Sequence, residues 1–406
     1  MAINFDPTRA DVMANPYPIY RRMRVEEPIY WCEPLRGWML TRYDDVRMAQ
    51  RDPRFSADRA SPFADQKERD NQPDVARMGR LLAKWVVFND PPRHTVLRRL
   101  MLDAFTPRAI EALRGRITDI VEDLLTAVDG RPSIDLIGDF AYPLPATVIA
   151  HILGVPDEDI DRFRAWSDDL AGVVGAAYSI PDRYQRGARA LFELTEYFHG
   201  IVEERRRRGE SGALIDTLIG AHDEDGSLSS EELVANCVIL LFAGHETTTN
   251  LIGNGMVLLL DRPDQLAKLR ADPALMPSAV EEILRYESPA HAVMRLAAED
   301  FTLRGKDIKK GERIFLMLAA ANRDPEMFDD PERFDIERDA NRHLSFGYGL
   351  HFCIGAQLAR VEGEIALRHI LDHFPTIALD TDRLEWDLSL VLRGVHALPL
   401  SLKVAA

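Results

Sequence analysis

The chain is 406 residues long, 46% apolar and 29% charged, the balance of a protein that folds around a core. With 50 lysines and arginines against 66 aspartates and glutamates, its net charge is −16, which argues against the clustered basic face that nucleic acid or an anionic membrane surface requires. Cys32, Cys237 and Cys353 are odd in number, far apart and without a C-x-x-C pair, so the sequence predicts no disulfide framework, no zinc knuckle and a reducing, cytoplasmic setting.

The first residues carry Asp6 and Asp11 and no apolar run, which predicts neither a leader nor an anchor. Alternating residues at 28–32 and 37–41 predict a β-hairpin. Helical spacing then dominates, with apolar residues recurring every three or four positions over 92–105, 109–128 and 183–208. The glutamates and arginines at 203–208 read as the solvated end of the last of these. Ser229, with Glu232 three residues on, has the form of a capping box, and the helix it opens extends to about Leu260. At ~1.5 Å per residue such a rod crosses a whole domain, and because its middle is apolar it must run through the core. The longest apolar stretch, 237–244, is too short to cross a bilayer. Further helices are predicted at 263–270 and 277–286, then a turn-rich segment at 322–346, a helix at 353–374 and strand-like runs in the tail. No repeat, low-complexity segment or linker divides the chain. A mainly α protein with minor sheet content is expected.

The most specific segment is Phe346-Gly347-Tyr348-Gly349-Leu350-His351-Phe352-Cys353-Ile354-Gly355. It is a glycine-bearing loop that delivers one cysteine to a helix N-terminus, where orphan N–H groups and the helix dipole favour the thiolate. Gly349 and Gly355 leave room for something flat against the backbone. A thiolate with no second cysteine beside it suits a single axial bond to haem iron. Within the long helix, Ala243-Gly244-His245-Glu246-Thr247-Thr248 sets a carboxylate and a hydroxyl beside a glycine that costs ~1 kcal/mol in a helix interior. Thr247 and Thr248 can bond carbonyls a turn back, and the group reads as a proton relay. His245-Glu246 opens the H-E-x-x-H pattern of zinc proteases, but position 249 is Thr and that reading fails.

The cysteine loop matches F-x-x-G-x-[HR]-x-C-x-G in full, and the sequence thereby resembles the cytochrome P450 family of haem-thiolate monooxygenases, of the soluble bacterial type, over about 16–402. The resemblance implies the family's fold, mainly α with small β-sheets, as a single haem domain over 1–406. It implies haem b bound through Cys353, with Ala243, Phe346 and Gly347 against it. It makes Glu246 and Thr247 the acid and alcohol of oxygen activation. His94, Arg98, Arg295 and His351 fall where the family's propionate ligands fall, and such carboxylates need charge-assisted partners once drawn from water. Glu282, Arg285 and Arg333 correspond to a buried structural network.

The distal pocket implied by the family fold comprises Ile239, Phe242 and Ala243 with Trp85, Val86, Val87, the loop at 171–179, His291, Val293 and Leu392. Most are apolar, so the expected substrate is a largely hydrophobic small molecule that receives one oxygen atom from O2, by hydroxylation or epoxidation. No flavin or iron–sulfur motif occurs in the sequence. Electrons are therefore expected from a separate ferredoxin and NAD(P)H-dependent reductase, docking on a basic patch for which Arg99, Arg108 and Arg342 are candidates. Neither nucleic acid nor a membrane is an expected partner. Two rivals stay open here: a peroxide-driven peroxygenase, which the intact Glu246–Thr247 pair opposes, and a non-catalytic haem-binding sensor, which would not require that pair.

Overall fold

The computed structural model describes residues 3–175, 180–209, 213–223, 228–339 and 341–403. Its axis is the helix Ser230–Leu260, 31 residues long. The expected capping box starts it: Ser229 Oγ accepts from the Glu232 N–H at 3.2 Å, and the Ser229 N–H donates to Glu232 Oε2 at 3.0 Å. Every residue from Leu233 to Phe242 and from Thr248 to Met256 is buried. The helices Pro143–Leu153, Arg183–Arg208, Met276–Tyr286 and Ala356–His373 pack around it. Burying this many apolar side chains in one continuous cluster is the main force holding the domain together.

Small residues set how closely these helices approach. A Cβ on Gly244 would lie 2.6 Å from Ile149 Cγ1, so only glycine lets Pro143–Leu153 lie against the central helix here. That contact accounts for a glycine that helix propensity alone disfavours. Glu362 faces Thr248, and Gly363 and Leu367 lie against Leu251 and Gly255. The helix Ala356–His373 therefore runs alongside the central helix in the same direction, with its N-terminal end, which follows the cysteine loop, toward 243–247.

The expected hairpin forms between Ile29–Cys32 and Gly37–Leu40. It belongs to a five-stranded sheet. Gly37–Leu40 pairs in parallel with Arg313–Leu316, which pairs antiparallel with Val293–Ala297, and Phe55–Ser56 closes the edge. The strand-like tail is real as well: Thr376–Leu379 and Pro399–Lys403 pair, and Ser133–Asp135 joins them.

The spans expected as helices form Arg93–Leu102, Pro107–Ala127, Arg183–Arg208, Pro263–Ala271 and Met276–Tyr286. The helix expected at 353–374 begins only at Ala356, with Gly355 at its N-cap, so Cys353 sits in the loop just before it. The charged run ends its helix on the surface, with Arg206 paired to Glu203 at 3.3 Å and Arg208 to Glu204 at 2.6 Å. No described helix is long and apolar enough to cross a membrane.

Candidate active site

The cysteine loop is held at both ends. The Cys353 N–H donates to the Phe346 carbonyl at 2.8 Å, and the Tyr348 N–H donates to Gln50 Oε1 at 2.8 Å. Gly347 and Gly349 take left-handed φ values of +72° and +75°, and a Cβ on Gly349 would lie 2.9 Å from Arg51 Cγ. Gly349 thus serves the turn and its docking on residues 50 and 51, which corrects its reading as room for a flat ligand. At Gly355 a Cβ would meet nothing within 4 Å, so that position does leave open space. Beneath the loop, the Arg360 guanidinium lies 4.6 Å over the Phe346 ring. Cys32 and Cys237 are buried, whereas Cys353 is accessible. The protein around Cys353 still pushes its thiol up, opposed by the Gly355 N–H and by the charges of Arg98 and Arg360.

Three separate segments bring His94, Arg98, Arg295 and His351 together, the first two from the helix Arg93–Leu102. The rings of His94 and His351 lie 4.1 Å apart, and Arg98 Nη2 donates to the Phe352 carbonyl at 2.6 Å, beside Cys353. Burial, then the charges of Arg295, His94 and Arg98, drives His351 down to about 3. Burial alone brings Arg295 down to about 10. The carboxylate that offsets this cluster, Asp90, is already held by the Ser56 hydroxyl at 2.5 Å and the Ala57 N–H at 2.9 Å. Among the described residues His94 Nδ1 is buried without a partner. A buried arginine and a half-buried one, with an unmatched imidazole nitrogen and a preoccupied counter-ion, call for an anionic ligand. The set fits the two carboxylates of haem.

Midway along the central helix the burial pattern breaks. Ala243 is exposed and Gly244, Glu246 and Thr247 are partly so, although the neighbouring turns are closed. The Thr247 hydroxyl donates to the Ala243 carbonyl at 3.2 Å and the Thr248 hydroxyl to the Gly244 carbonyl at 3.4 Å. Burial, with the Asp387 and Asp168 carboxylates nearby, pushes Glu246 up to about 8, so it keeps its proton at neutral pH. His245 Nδ1 lies 2.7 Å from the Leu241 carbonyl and must carry the proton between them. Burial lowers His245 to about 4, so it stays neutral.

Of the expected pocket residues, Trp85 is fully buried and stacks between Phe88 and Phe242, with ring centroids 5.7 and 6.3 Å away. Asn236 ties that segment down by accepting from the Val86 N–H at 3.0 Å. Ile239 and Leu392 are buried, Val293 is half-buried and Val87 is exposed. Residues 176–179 of the expected loop lie outside the described residues. His291 does not line the pocket. It is wholly buried, with Nε2 3.2 Å from the Tyr17 hydroxyl and 3.5 Å from Glu287 Oε1, because the N-terminal segment covers it. Sequence reasoning missed a cavity of about 230 Å³ lined by Phe63, Leu82, Phe88, Val174, Met294 and Val391. Two of these are chain neighbours of the expected Val293 and Leu392. Val293 and Met294 lie in the strand Val293–Ala297, which alternates faces at every residue, so there a slip of one position changes the side addressed.

The buried structural network also needs a correction. Arg285 grips Glu282 through Nε and Nη2, both at 2.7 Å, with neither side chain exposed. Arg333 contributes only its carbonyl to Arg285, at 3.1 Å, while its side chain is 64% exposed and pairs with Asp335. The second cation on Glu282 is Arg338, joined by Asn341 Nδ2 at 3.1 Å and the Asp335 N–H at 2.9 Å. The turn at 329–335 directs the Arg333 side chain outward, and the next turn returns Arg338 inward.

Comparison with known proteins identifies the family. The chain is 43% identical to the cytochrome P450 monooxygenase PikC of Streptomyces venezuelae, over 96% of this chain and 92% of that protein. It is 41% identical to the vitamin D(3) 25-hydroxylase of Pseudonocardia autotrophica, over 96% and 94%. A crystal structure of the myxobacterial cytochrome P450 CYP267B1 with myristic acid superposes with a TM-score of 0.89 at 38% identity, over 98% of this chain and 99% of that one. The family model described as Cytochrome P450 matches residues 62–393, and the chain belongs to the cytochrome P450 family.

Proposed function

We propose that this protein is a haem-thiolate monooxygenase that inserts one oxygen atom from O2 into a largely hydrophobic small molecule. The observation that carries the reading is the 2.6 Å bond from Arg98 to the Phe352 carbonyl, which fastens the carboxylate-seeking cluster to the residue beside Cys353. In this reading Cys353 would hold the haem iron through its thiolate, and His94, Arg98, Arg295 and His351 would hold the haem carboxylates. Ala243, Phe346 and Gly347 border the ring. Haem held there through a cysteine thiolate would supply the chemistry of oxygen activation.

The chain's own part is to orient groups and deliver protons. Glu246 keeps its proton near neutrality and can donate it, and Thr247 at the accessible face of the helix can hold the water that passes it on. Val86, Val87, Ile239, Phe242, Val293 and Leu392, backed by the buried Trp85, would offer apolar surface to a substrate, and the neighbouring 230 Å³ cavity adds apolar walls edged by Arg59, Gln66, Arg183 and Arg313. The relative named for vitamin D(3) hydroxylation and the neighbour crystallised with myristic acid support that substrate class. We assign electron supply to a ferredoxin and an NAD(P)H-dependent reductase. Arg99, Arg108 and Arg342 are all exposed and available to dock an acidic partner.

The test is turnover under 18O2 with a reconstituted ferredoxin and reductase and a panel of hydrophobic compounds. One labelled oxygen per product, dependent on NAD(P)H, is expected. Product formed only with added peroxide would support a peroxygenase instead, and no product across a panel that shifts the haem spectrum would support a sensor.

A further inference from the structure

The cavity of about 230 Å³ is floored by one face of the five-stranded sheet. Met294 and Leu296 pair in register with Phe315 and Arg313, and all four line it. Strand residues alternate faces, so Arg295, between Met294 and Leu296, points to the opposite side, toward His94 and His351. Phe88 closes the inner wall, and Trp85 stacks between Phe88 and Phe242 of the central helix. The inner end of the cavity therefore backs onto the segment that leads into 243–247.

Among the described residues that line this cavity, the charged ones are Arg59, Arg183 and Arg313, and none is acidic, although the chain carries 66 acids against 50 bases. Three elements supply them: Arg59 precedes the helix Ala60–Arg69, Arg183 opens Arg183–Arg208 and Arg313 begins the strand Arg313–Leu316. The Arg59 guanidinium lies 4.5 Å over the Phe88 ring and donates to the Met294 carbonyl at 3.4 Å. That of Arg183 lies 4.5 Å over the Tyr184 ring and donates to the Tyr184 hydroxyl at 3.3 Å. Arg313 is exposed and donates to the Leu35 carbonyl at 3.4 Å. Each of these contacts is to a neutral group. The acids beside them in sequence are turned elsewhere. Asp58 Oδ1 accepts from the Ser61 N–H at 3.0 Å, Glu312 Oε2 accepts from the Trp38 indole N–H at 2.7 Å, and Asp182 is exposed and outside the lining.

A guanidinium stays charged at any pH at which the protein is folded, and its planar fork matches a carboxylate. Three of them around apolar walls select a molecule that is apolar along most of its length and anionic at one end. We propose that Arg59, Arg183 and Arg313 form a carboxylate clamp at the mouth of this cavity, and that the preferred substrate is a hydrophobic carboxylic acid oxidised far from its acid group. The carboxylate lies on the Arg313 side, where the cavity meets solvent, and the apolar part runs inward past Phe88 and Val391. The clamp makes and breaks no covalent bond. The position of oxidation rests on the monooxygenase reading: with the acid end held at the mouth, the carbons that reach 243–247 are the remote ones.

The experiment titrates holoprotein with tetradecanoate, tetradecanol and methyl tetradecanoate, following the haem spectrum and, independently, the heat of binding. Wild type is expected to bind the acid at least about tenfold more tightly than either neutral analogue, with an advantage that shrinks as salt is raised. Arg59→Gln/Arg313→Gln should bring that ratio down toward unity. Arg313→Glu alone, a change at an exposed side chain, should lower it by weakening the acid and not the alcohol. Equal affinity for acid and alcohol in wild type, no binding of tetradecanoate, or an unchanged ratio in both variants would overturn the clamp. Product analysis with ferredoxin and reductase should place the new hydroxyl in the half of the chain away from the carboxyl group, and oxidation beside that group would overturn the orientation. A preference that the variants abolish, with no oxygenated product from any compound, would overturn the monooxygenase reading and leave the clamp standing.

Discussion

Arg338 reaches Glu282 with Nε 3.2 Å from Oε2, its side chain 12% exposed and the glutamate's not at all. Glu282 lies under the loop that leads to the cysteine, and it gathers Arg285, Arg338, Asn341 and the Asp335 N–H onto two oxygens. Removing one partner of such a buried set leaves charge uncompensated and costs about 3 kcal/mol or more. Arg338→Ala should therefore lower the denaturation midpoint substantially. Arg333→Ala, at an exposed ion pair, should change stability by less than about 1 kcal/mol. Chemical denaturation of both variants checks the ranking.

Arg98 and Arg295 are predicted to anchor the haem. Arg295 is 8% exposed, and its side chain hydrogen-bonds only the Met294 carbonyl among the described residues. Charge-assisted bonds to a carboxylate would make up that lack. Arg98→Ala/Arg295→Ala should weaken haem retention by about tenfold or more and shift the reduction potential. Haem transfer to apomyoglobin and redox titration measure the two effects, and no change in either would remove the assignment.

Thr247 is predicted to govern coupling. Its hydroxyl is at the accessible face of the helix and bonds the Ala243 carbonyl at 3.2 Å, whereas Thr248 is buried and faces Glu362. Thr247→Ala should bind substrate and haem normally and still consume NAD(P)H, but release more hydrogen peroxide for each product formed. Thr248→Ala should affect coupling less. Product and peroxide assayed per NAD(P)H oxidised decide it.

Glu362 is predicted to make stability depend on pH. It is 1% exposed and faces the Thr248 hydroxyl, no cation offsets it among the described residues, and burial pushes it from 4.5 up to about 8. The folded state then holds a proton that the unfolded chain releases above about 4.5, so this group lowers stability as pH rises from about 4.5 to 8 and adds no further change above that. Glu246, raised in the same direction, contributes with the same sign. Glu362→Gln should flatten the loss, and its melting temperature should exceed wild type by more at pH 8 than at pH 5. An equal difference at both pH values would mean that Glu362 is not protonated in the fold.

Much of this site could be read from local sequence because its parts depend on local rules. The capping box at Ser229 and the hairpin at 28–41 follow from short-range chemistry, and the structure contains both. The motif from Phe346 to Gly355 is likewise contiguous. What escaped detection depends on tertiary packing. Gly244 answers to Ile149 on another helix, His291 to Tyr17 from the far N-terminus, and the choice of Arg338 over Arg333 to the direction of one turn. The carboxylates that raise Glu246 come from residues 168 and 387, and no spacing rule connects either of them to position 246.

The central claim is that Cys353 supplies the thiolate beneath the haem, and the spectrum of the reduced, carbon monoxide-bound protein tests it most directly. Wild type, Cys32→Ala and Cys237→Ala should all give the red-shifted Soret band of thiolate ligation, and Cys353→Ala should lack it. A Cys353→Ala protein that keeps the band would contradict the account.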